Sequence, residues 1–142
     1  MARYVITPEV ALLLVRDGAA APAGHSLLAP TPLRSQVLSL LYGAARRGEL
    51  TEREAARALD RVRTLRIRLL GDRVLQATAW RIAERLGLPD TLGAEYLALT
   101  RLQGDALVTL DPVLAAAAEG VVPVAPVEVL TGGRRPGGQG LA

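Results

Sequence analysis

The sequence contains no cysteine and no lysine. Without cysteine, the chain has neither a disulfide scaffold nor a thiolate metal site, and we expect a cytoplasmic protein. All 17 basic residues are arginine. The absence of lysine excludes a phosphate-loop NTPase and any enzyme that forms a Schiff base on a lysine side chain.

Aromatic residues and long apolar runs are also scarce. Only 3% of the residues are aromatic and none is phenylalanine, which argues against nucleic-acid recognition by base stacking. No apolar run is long enough to cross a bilayer and the N-terminus shows no cleavage-site pattern, so we expect a soluble protein without a membrane partner. The net charge of +3, with 14 acidic residues interspersed, indicates an ordinary solvated surface.

Strand patterns alternate with helix patterns along the chain. We predict strands at residues 3–6, 66–70, 106–110 and 121–125, and helices at residues 8–15, 32–47, 51–64, 72–86, 91–102 and 112–119. Residues 17–30, including His25, are predicted as a loop. Several strands are continuously apolar, which is typical of a parallel sheet covered by helices on both faces. The sequence therefore predicts an α/β protein, a three-layer α/β/α sandwich with a central, mainly parallel sheet.

Local signals mark several predicted helix ends. Thr31 is predicted to cap the second helix, Thr51 with Glu54 forms a capping-box pattern, and Asp72 is predicted to cap the fourth helix. The last residues are rich in glycine, arginine and proline and contain few apolar side chains. We therefore predict one domain at residues 1–130 and a disordered tail at residues 131–142.

The most informative residue is Asp111, which follows an apolar strand and precedes Pro112. A carboxylate at the carboxyl end of a buried parallel strand is a common position for chemistry in α/β proteins. Thr7 follows the first strand, Gln36 lies one turn into the second helix, and Gly93 lies in the first turn of the fifth helix. We expect these residues to approach the same edge of the sheet.

Five short patterns in this order resemble the PIN-domain family, which includes the toxin ribonucleases of the VapBC toxin–antitoxin type. The patterns are Tyr-Val-Ile-x-x-x-Val-Ala at residues 4–11, Leu-Ala-Pro-x-x-Leu-x-x-x-Val-Leu at 28–38, Arg-Arg-Gly-x-Leu-Thr at 46–51, Ala-x-Tyr-Leu-Ala-Leu at 94–99 and Leu-Val-Thr-x-Asp at 107–111. Together they cover about residues 3 to 130. The resemblance implies a PIN-like sandwich and a ribonuclease centre in which clustered carboxylates hold Mg²⁺ or Mn²⁺.

Three of the four acids that this resemblance implies are replaced, by Thr7, Gln36 and Gly93. The fourth acid is retained as Asp111, within a Thr-x-Asp turn that begins at Thr109. Neutral side chains do not recruit Mg²⁺ as carboxylates do. We therefore expect a decayed nuclease centre that binds a partner protein or RNA without efficient cleavage, and at most weak Mg²⁺ or Mn²⁺ binding at Asp111 and Glu9.

Two other functions remain open on the sequence. One is a slow Mg²⁺- or Mn²⁺-dependent ribonuclease of toxin type that uses Asp111 with Glu9 and Asp90. Glu9 also suits the first turn of a helix, where negative charge is favoured, and Asp90 also suits a helix cap. The other is a structural subunit that dimerises. The resemblance implies a homodimer, a small antitoxin-like protein and RNA as partners.

Three further features have simpler interpretations. His25, the only histidine, is expected to be solvated in its loop rather than catalytic. Trp80 is expected in the core or at a subunit interface rather than in a base-stacking site. The arginines at positions 53, 57 and 61 form a stripe that acidic neighbours nearly balance, which indicates a solvated helix face rather than a phosphate-binding rim.

Overall fold

The computed structural model describes residues 1–16 and 24–132; the predicted loop at 17–23 and the predicted tail from 133 lie outside the described residues. The described residues form four strands and seven helices. The strands are β1 (Ala2–Ile6), β2 (His25–Pro30), β3 (Arg68–Leu70) and β4 (Ala106–Val108). The helices are α1 (Pro8–Arg16), α2 (Leu33–Arg46), α3 (Glu52–Thr64), α4 (Arg73–Leu86), α5 (Leu92–Gln103), α6 (Pro112–Ala118) and α7 (Glu128–Thr131).

The strands form one parallel sheet in the order β3-β2-β1-β4. Helices α1, α2 and α3 pack against one another, and α4 packs on α5, which also contacts β1, β2 and β4. This arrangement confirms the predicted α/β/α sandwich. No helix within the described residues combines the length and the apolar character needed to span a bilayer.

The pairing of β1 with β4 positions the candidate site. Val5 pairs with Leu107 and Ile6 with Val108, and all four side chains are fully buried. Burying apolar side chains of this size contributes about 1.5–3 kcal/mol each, so the register of this pair is strongly specified. Because the strands are parallel, the residues that follow them emerge at the same edge of the sheet, as the sequence predicted.

Two predicted helix caps are confirmed. The Thr51 Oγ1 accepts a hydrogen bond from the Glu54 N–H at 3.0 Å, and the Glu54 carboxylate accepts one from the Thr51 N–H at 2.8 Å. At the start of α4, the Asp72 Oδ1 accepts from the Leu75 N–H at 2.8 Å. Each cap satisfies backbone donors that the first helical turn leaves unpaired.

Two predicted boundaries are wrong. Thr31 does not cap α2, because its N–H donates to the carbonyl of Leu70 at 3.2 Å and extends the sheet by one residue. The N-cap is Pro32, which makes no side-chain hydrogen bond. The third strand begins at Arg68 instead of Arg66, because the φ of Arg66 is 55°, a left-handed conformation that no extended strand adopts.

The predicted loop is wrong for residues 25–30, which form β2. Leu27, Leu28 and Ala29 are buried and lie between β1 and β3 in the sheet. Proline, alanine and glycine nearby gave this segment the composition of a loop. Pro30 is tolerated because it is the last residue of its strand, where a missing N–H matters least.

The predicted strand at residues 121–125 is also wrong. Only one bridge forms there, between Val124 and Leu107. The Leu107 N–H donates to the carbonyl of Pro123, and the Leu107 carbonyl accepts from the N–H of Ala125, both at 2.9 Å. Pro123 has no N–H to donate toward β4, so the ladder cannot extend from this bridge toward the start of β4. The short helix α7 follows instead.

Two glycine substitutions test this packing with opposite expected signs. A Cβ added at Gly104 lies 2.9 Å from Val5 Cγ2 and 3.3 Å from Thr100 Cα, so Gly104→Ala should lower the unfolding free energy by about 1–3 kcal/mol through overpacking. At Gly43, inside α2, a Cβ meets only the end of the flexible Arg47 side chain, at 3.0 Å. Gly43→Ala should therefore stabilise the protein by about 0.5–1 kcal/mol through helix propensity. Urea unfolding measures both, and a Gly104→Ala variant at least as stable as wild type would contradict the close approach at Gly104.

Candidate functional site

A pocket of about 310 Å³ opens at the carboxyl ends of β1 and β4, between helices α1, α2, α5 and α6. We call it the strand-end pocket. Its lining residues are Thr7, Pro8, Glu9, Gln36, Ser39, Leu40, Leu92, Gly93, Tyr96, Asp111 and Leu114. The structure therefore brings together Thr7, Gln36, Gly93 and Asp111, the positions at which the resemblance implies acids, and adds Glu9.

Thr7 occupies the end of β1. Its N–H donates to the carbonyl of Val108 at 3.4 Å, and its carbonyl accepts from the N–H of Ala11 at 3.1 Å. The residue is only 2% exposed, and within the described part of the chain its Oγ1 has no hydrogen-bond partner. A buried hydroxyl without a partner costs about 1–3 kcal/mol, so this position is held by the surrounding fold and not by its own contacts.

Gln36 and Tyr96 join two helices across the pocket. The Tyr96 hydroxyl donates to the Gln36 Oε1 at 2.6 Å, linking α5 to α2. Burial raises the pKa of the Tyr96 hydroxyl well above its usual value, and the negative charges of Glu9 and Glu95 raise it further. The hydroxyl therefore stays protonated and keeps donating to Gln36.

Tyr96 is a site residue that the sequence reasoning missed. It belongs to the Ala-x-Tyr-Leu-Ala-Leu pattern, which by itself assigns it no role. Tyr96 lies three residues after Gly93, a spacing that places both on one face of α5, where Leu92 also borders the pocket. That spacing was the available signal.

Glu9 has both of the positions that the sequence left open. It lies in the first turn of α1 and it also lines the strand-end pocket. Its Oε1 is buried and has no hydrogen-bond partner among the described residues. The negative charge of Glu9 is one of the causes that raise the pKa of the Tyr96 hydroxyl, after burial.

Asp111 is the retained acid, and its backbone is fixed by a short turn. The Asp111 N–H donates to the Thr109 Oγ1 at 3.1 Å, which gives Thr109 a structural role in the turn. The Asp111 Oδ1 accepts from the N–H of Val113 at 2.9 Å and so caps α6. One carboxylate oxygen is therefore already engaged by the protein.

Asp90 does not join the strand-end pocket. Its Oδ1 accepts from the N–H of Leu92 at 3.0 Å, at the start of α5. Asp90 is absent from the pocket lining. This bond fits the turn residue that was the alternative to metal binding; the N-cap residue of α5 is Thr91.

The strand-end pocket does not fit the divalent ion that the resemblance implies. Residues 1–16 and 24–132 contain no group of three or more histidine, aspartate or glutamate side chains arranged to hold a metal ion. The pocket has two carboxylates, from Glu9 and Asp111, and the second already caps a helix. Mg²⁺ is recruited by carboxylate charge and hard oxygen ligands, of which this pocket offers few.

His25 and Trp80 lie elsewhere, and neither expectation about them was fully correct. His25 begins β2 and pairs with Ala2, at the opposite end of the strands from Thr7. Its ring packs edge-on against the ring of Tyr4, with 5.2 Å between the two ring centroids. It is partly buried and not a solvated loop residue. Trp80 is 66% exposed, which excludes a place in the core of this chain.

The Tyr96 hydroxyl predicts a specific dependence of stability on alkaline pH. Because its folded pKa is raised, the hydroxyl is protonated in both states below about pH 10, and above that the unfolded chain ionises first. The unfolding free energy should fall as pH rises from about 10, with a slope of up to about 1.4 kcal/mol per pH unit. Tyr96→Phe should lower stability at pH 7 by about 1 kcal/mol and flatten this alkaline decline.

The chain offers a clean test, because it has no lysine to titrate in the same range. Unfolding is measured by urea titration at several pH values between neutral and strongly alkaline. Tyr42→Phe is the control, since Tyr42 is 66% exposed. An alkaline decline that persists in Tyr96→Phe would show that the hydroxyl is not the group responsible.

Comparisons with known proteins add a fold likeness. No family model and no curated protein match the sequence. The chain is similar to the protein in the crystal structure of PAE2754 from Pyrobaculum aerophilum, with a TM-score of 0.67 and 22% sequence identity. The match covers 90% of this chain and 92% of that chain. At this identity the likeness shows the fold alone.

Proposed function

We propose that this chain is a cytoplasmic PIN-like domain with a decayed metal-nuclease centre, and that it acts by binding RNA or a partner protein without efficient cleavage. The proposal is carried by one observation. The strand-end pocket gathers Thr7, Gln36, Gly93 and Asp111, and only the last of these is an acid.

The contacts in the strand-end pocket support a centre that lost its negative charge and kept its shape. Gln36 has nearly the volume of glutamate, and its Oε1 accepts the Tyr96 hydroxyl as a carboxylate oxygen would. At Gly93, an added Cβ lies 3.3 Å from Leu114 Cδ1, the movable tip of a side chain. Acidic side chains at these positions therefore find room and a donor. Fewer like charges at one site also favour the folded chain without metal.

A second feature supports binding to a protein. An apolar groove of about 600 Å³ lies between α1, α2 and α3, and its lining includes Leu12, Leu41 and Leu50. Glu9 and Leu40 line both this groove and the strand-end pocket. An amphipathic helix from a small antitoxin-like protein fits such a groove and would also reach the pocket.

Glu9 favours one alternative, the slow Mg²⁺- or Mn²⁺-dependent ribonuclease. Its Oε1 is buried, has no hydrogen-bond partner within residues 1–16 and 24–132, and lies in the strand-end pocket with Asp111. In this alternative the two carboxylates suffice for weak metal binding. Asp90, which accepts from the Leu92 N–H and does not line the pocket, makes no contribution.

The proposal predicts that three acids restore a metal site. The variant Thr7→Asp/Gln36→Glu/Gly93→Asp should melt below wild type without metal, because four or more carboxylates repel one another. Mn²⁺ should recover its stability, by about 2.7 kcal/mol at one hundred times the dissociation constant, because the metal binds only the folded form. Metal-dependent cleavage of single-stranded RNA should appear, and Asp111→Ala should abolish it. Calorimetry, thermal melting and a gel assay measure the three effects.

The matched control is Thr7→Asn/Gly93→Asn with Gln36 retained, which adds the same volume without charge. It should gain neither Mn²⁺ binding nor cleavage. If wild type cleaves RNA at a rate that the acidic variant does not exceed, and Glu9→Gln abolishes that cleavage, the ribonuclease alternative is correct.

We also propose a homodimer, formed through α4. This helix exposes two large apolar side chains, Trp80 by 66% and Val74 by 59%, and an exposed tryptophan is typical of a protein interface. A purely structural dimerising subunit is the function that would remain if neither RNA nor a partner binds.

The homodimer is testable through the fluorescence of the single tryptophan. Dilution should shift the Trp80 emission to longer wavelength as the interface opens and the indole enters water. Trp80→Ala should weaken dimerisation by about tenfold or more in sedimentation experiments, as expected for a central aromatic contact. Val113→Ala, at a position 74% exposed on α6, is the control and should have no effect. Emission that is independent of concentration, with a monomer mass throughout, would refute the dimer.

A further inference from the structure

Another cavity, of about 320 Å³, is lined by three arginines and, among the described residues, by no acid. Arg34 comes from α2, Arg63 from α3 and Arg66 from the segment that enters β3. Ser35 adds a hydroxyl, and the remaining walls are apolar. We call this cavity the arginine pocket. It differs from the stripe of residues 53, 57 and 61 on α3, because its three cations converge from separate elements.

Two of the three arginines in the arginine pocket have no acidic partner among the described residues. Within the described residues, the side chains of Arg34 and Arg66 have no ion-pair or hydrogen-bond partner. Arg63 contacts Asp60 at 3.0 Å, but both side chains are more than 60% exposed, so this pair contributes little. Guanidinium groups with free N–H donors are well suited to a phosphate, which they bind with two parallel hydrogen bonds.

Arg66 is held in an unusual backbone conformation. Its φ of 55° is left-handed, and no other non-glycine residue in the described ranges has a positive φ. Glycine adopts this conformation without the steric conflict of a Cβ. The chain thus places an arginine at a position whose backbone favours glycine. Substitution of Arg66 by glycine therefore removes the positive charge and the steric conflict of the Cβ at the same time.

The arginine pocket and the strand-end pocket lie on either side of the first half of α2. Arg34 and Leu38 line the first, and Gln36 and Ser39 line the second. The first turn of α2 has no acidic residue. A chain-like ligand therefore reaches both pockets across one helix without meeting a carboxylate on that turn.

We propose that the arginine pocket binds a backbone phosphate of a single-stranded RNA whose neighbouring nucleotide contacts the strand-end pocket. This rests on the RNA-binding form of the proposed function. The two carboxylates of the strand-end pocket, Glu9 and Asp111, repel a phosphate there. The arginine pocket attracts one, and its apolar walls accept the adjoining sugar or base.

The test measures binding of a short fluorescent oligouridylate to the full chain by anisotropy, in EDTA, so that any residual cleavage does not affect it. Arg34→Gln/Arg63→Gln/Arg66→Gln should raise the dissociation constant by about tenfold or more. The slope of log affinity against log salt should fall by about 0.7 for each phosphate that the variant no longer neutralises. The charge-matched control changes three exposed arginines outside the pocket to glutamine, at positions 53, 81 and 85, and should have a much smaller effect.

Arg66→Gly separates binding from folding. It should weaken RNA binding while leaving the melting temperature unchanged or higher, because glycine suits the left-handed backbone. Inorganic phosphate should compete with RNA for wild type but not for the triple arginine variant. A loss of RNA binding that only follows a loss of stability in every arginine variant would overturn the proposal.

Two other outcomes also overturn it. One is equal weakening by the pocket variant and the charge-matched control, which would show non-specific attraction. The other is binding of a hexaglutamate peptide with the same sensitivity to the pocket variant, which would point to an acidic protein instead of RNA. Neither outcome bears on the decayed metal centre, which the acid-restoring variant and its Mn²⁺ titration judge separately.

Discussion

The pairing of β1 with β4 is the constraint on which the candidate site depends. Val5 and Ile6 lie beside Leu107 and Val108 in a fully buried register. A shift by one residue would turn every side chain of β1 to the other face, so the register is fixed by the core and not by the site. Thr7 and Asp111 therefore meet at the sheet edge whatever their own chemistry. The register therefore positions the pocket without any contribution from the charge of the side chains that line it.

The remaining geometry of the pocket depends on one hydrogen bond across it. The Tyr96 hydroxyl donates to Gln36, and burial and nearby carboxylate charge raise its pKa, so it acts as a donor throughout the ordinary pH range. A hydroxyl group can donate with the same geometry to the oxygen of a neutral amide or to the oxygen of a carboxylate. In the proposed decayed centre, glutamine in place of glutamate at position 36 therefore keeps the hydrogen bond that joins α2 to α5. Thr7 differs from Gln36 in this respect, because its buried Oγ1 has no hydrogen-bond partner among the described residues.

Layer architecture and the site edge could be predicted from the sequence because they follow from apolar strands, helix caps and strand ends. Segments rich in proline could not be predicted correctly. Pro30 ends a true strand, whereas Pro123 limits another segment to a single bridge, and only the pairing with the neighbouring strand decides between these outcomes. Side-chain partnerships across 60 residues, such as Gln36 with Tyr96, leave no local signal. The same holds for the arginine pocket, whose members are scattered in sequence and converge only when α2, α3 and β3 pack.

Charge is distributed unevenly around α2, with three arginines lining the cavity on one side of its first half and two carboxylates lining the pocket on the other. Near the apolar groove, Arg47 contacts Glu49 at 2.7 Å, and the hydrogen bond lowers the pKa of that carboxyl. Arg34 and Arg66 have no such partner in the described chain. Since the chain has no lysine, each free cation is a planar guanidinium that suits phosphate geometry. In the proposed RNA complex, the carboxylates of the strand-end pocket repel a phosphate and the arginines on the other side of α2 attract one. We therefore expect the phosphate to lie toward the arginines and the uncharged part of a nucleotide to lie toward the strand-end pocket.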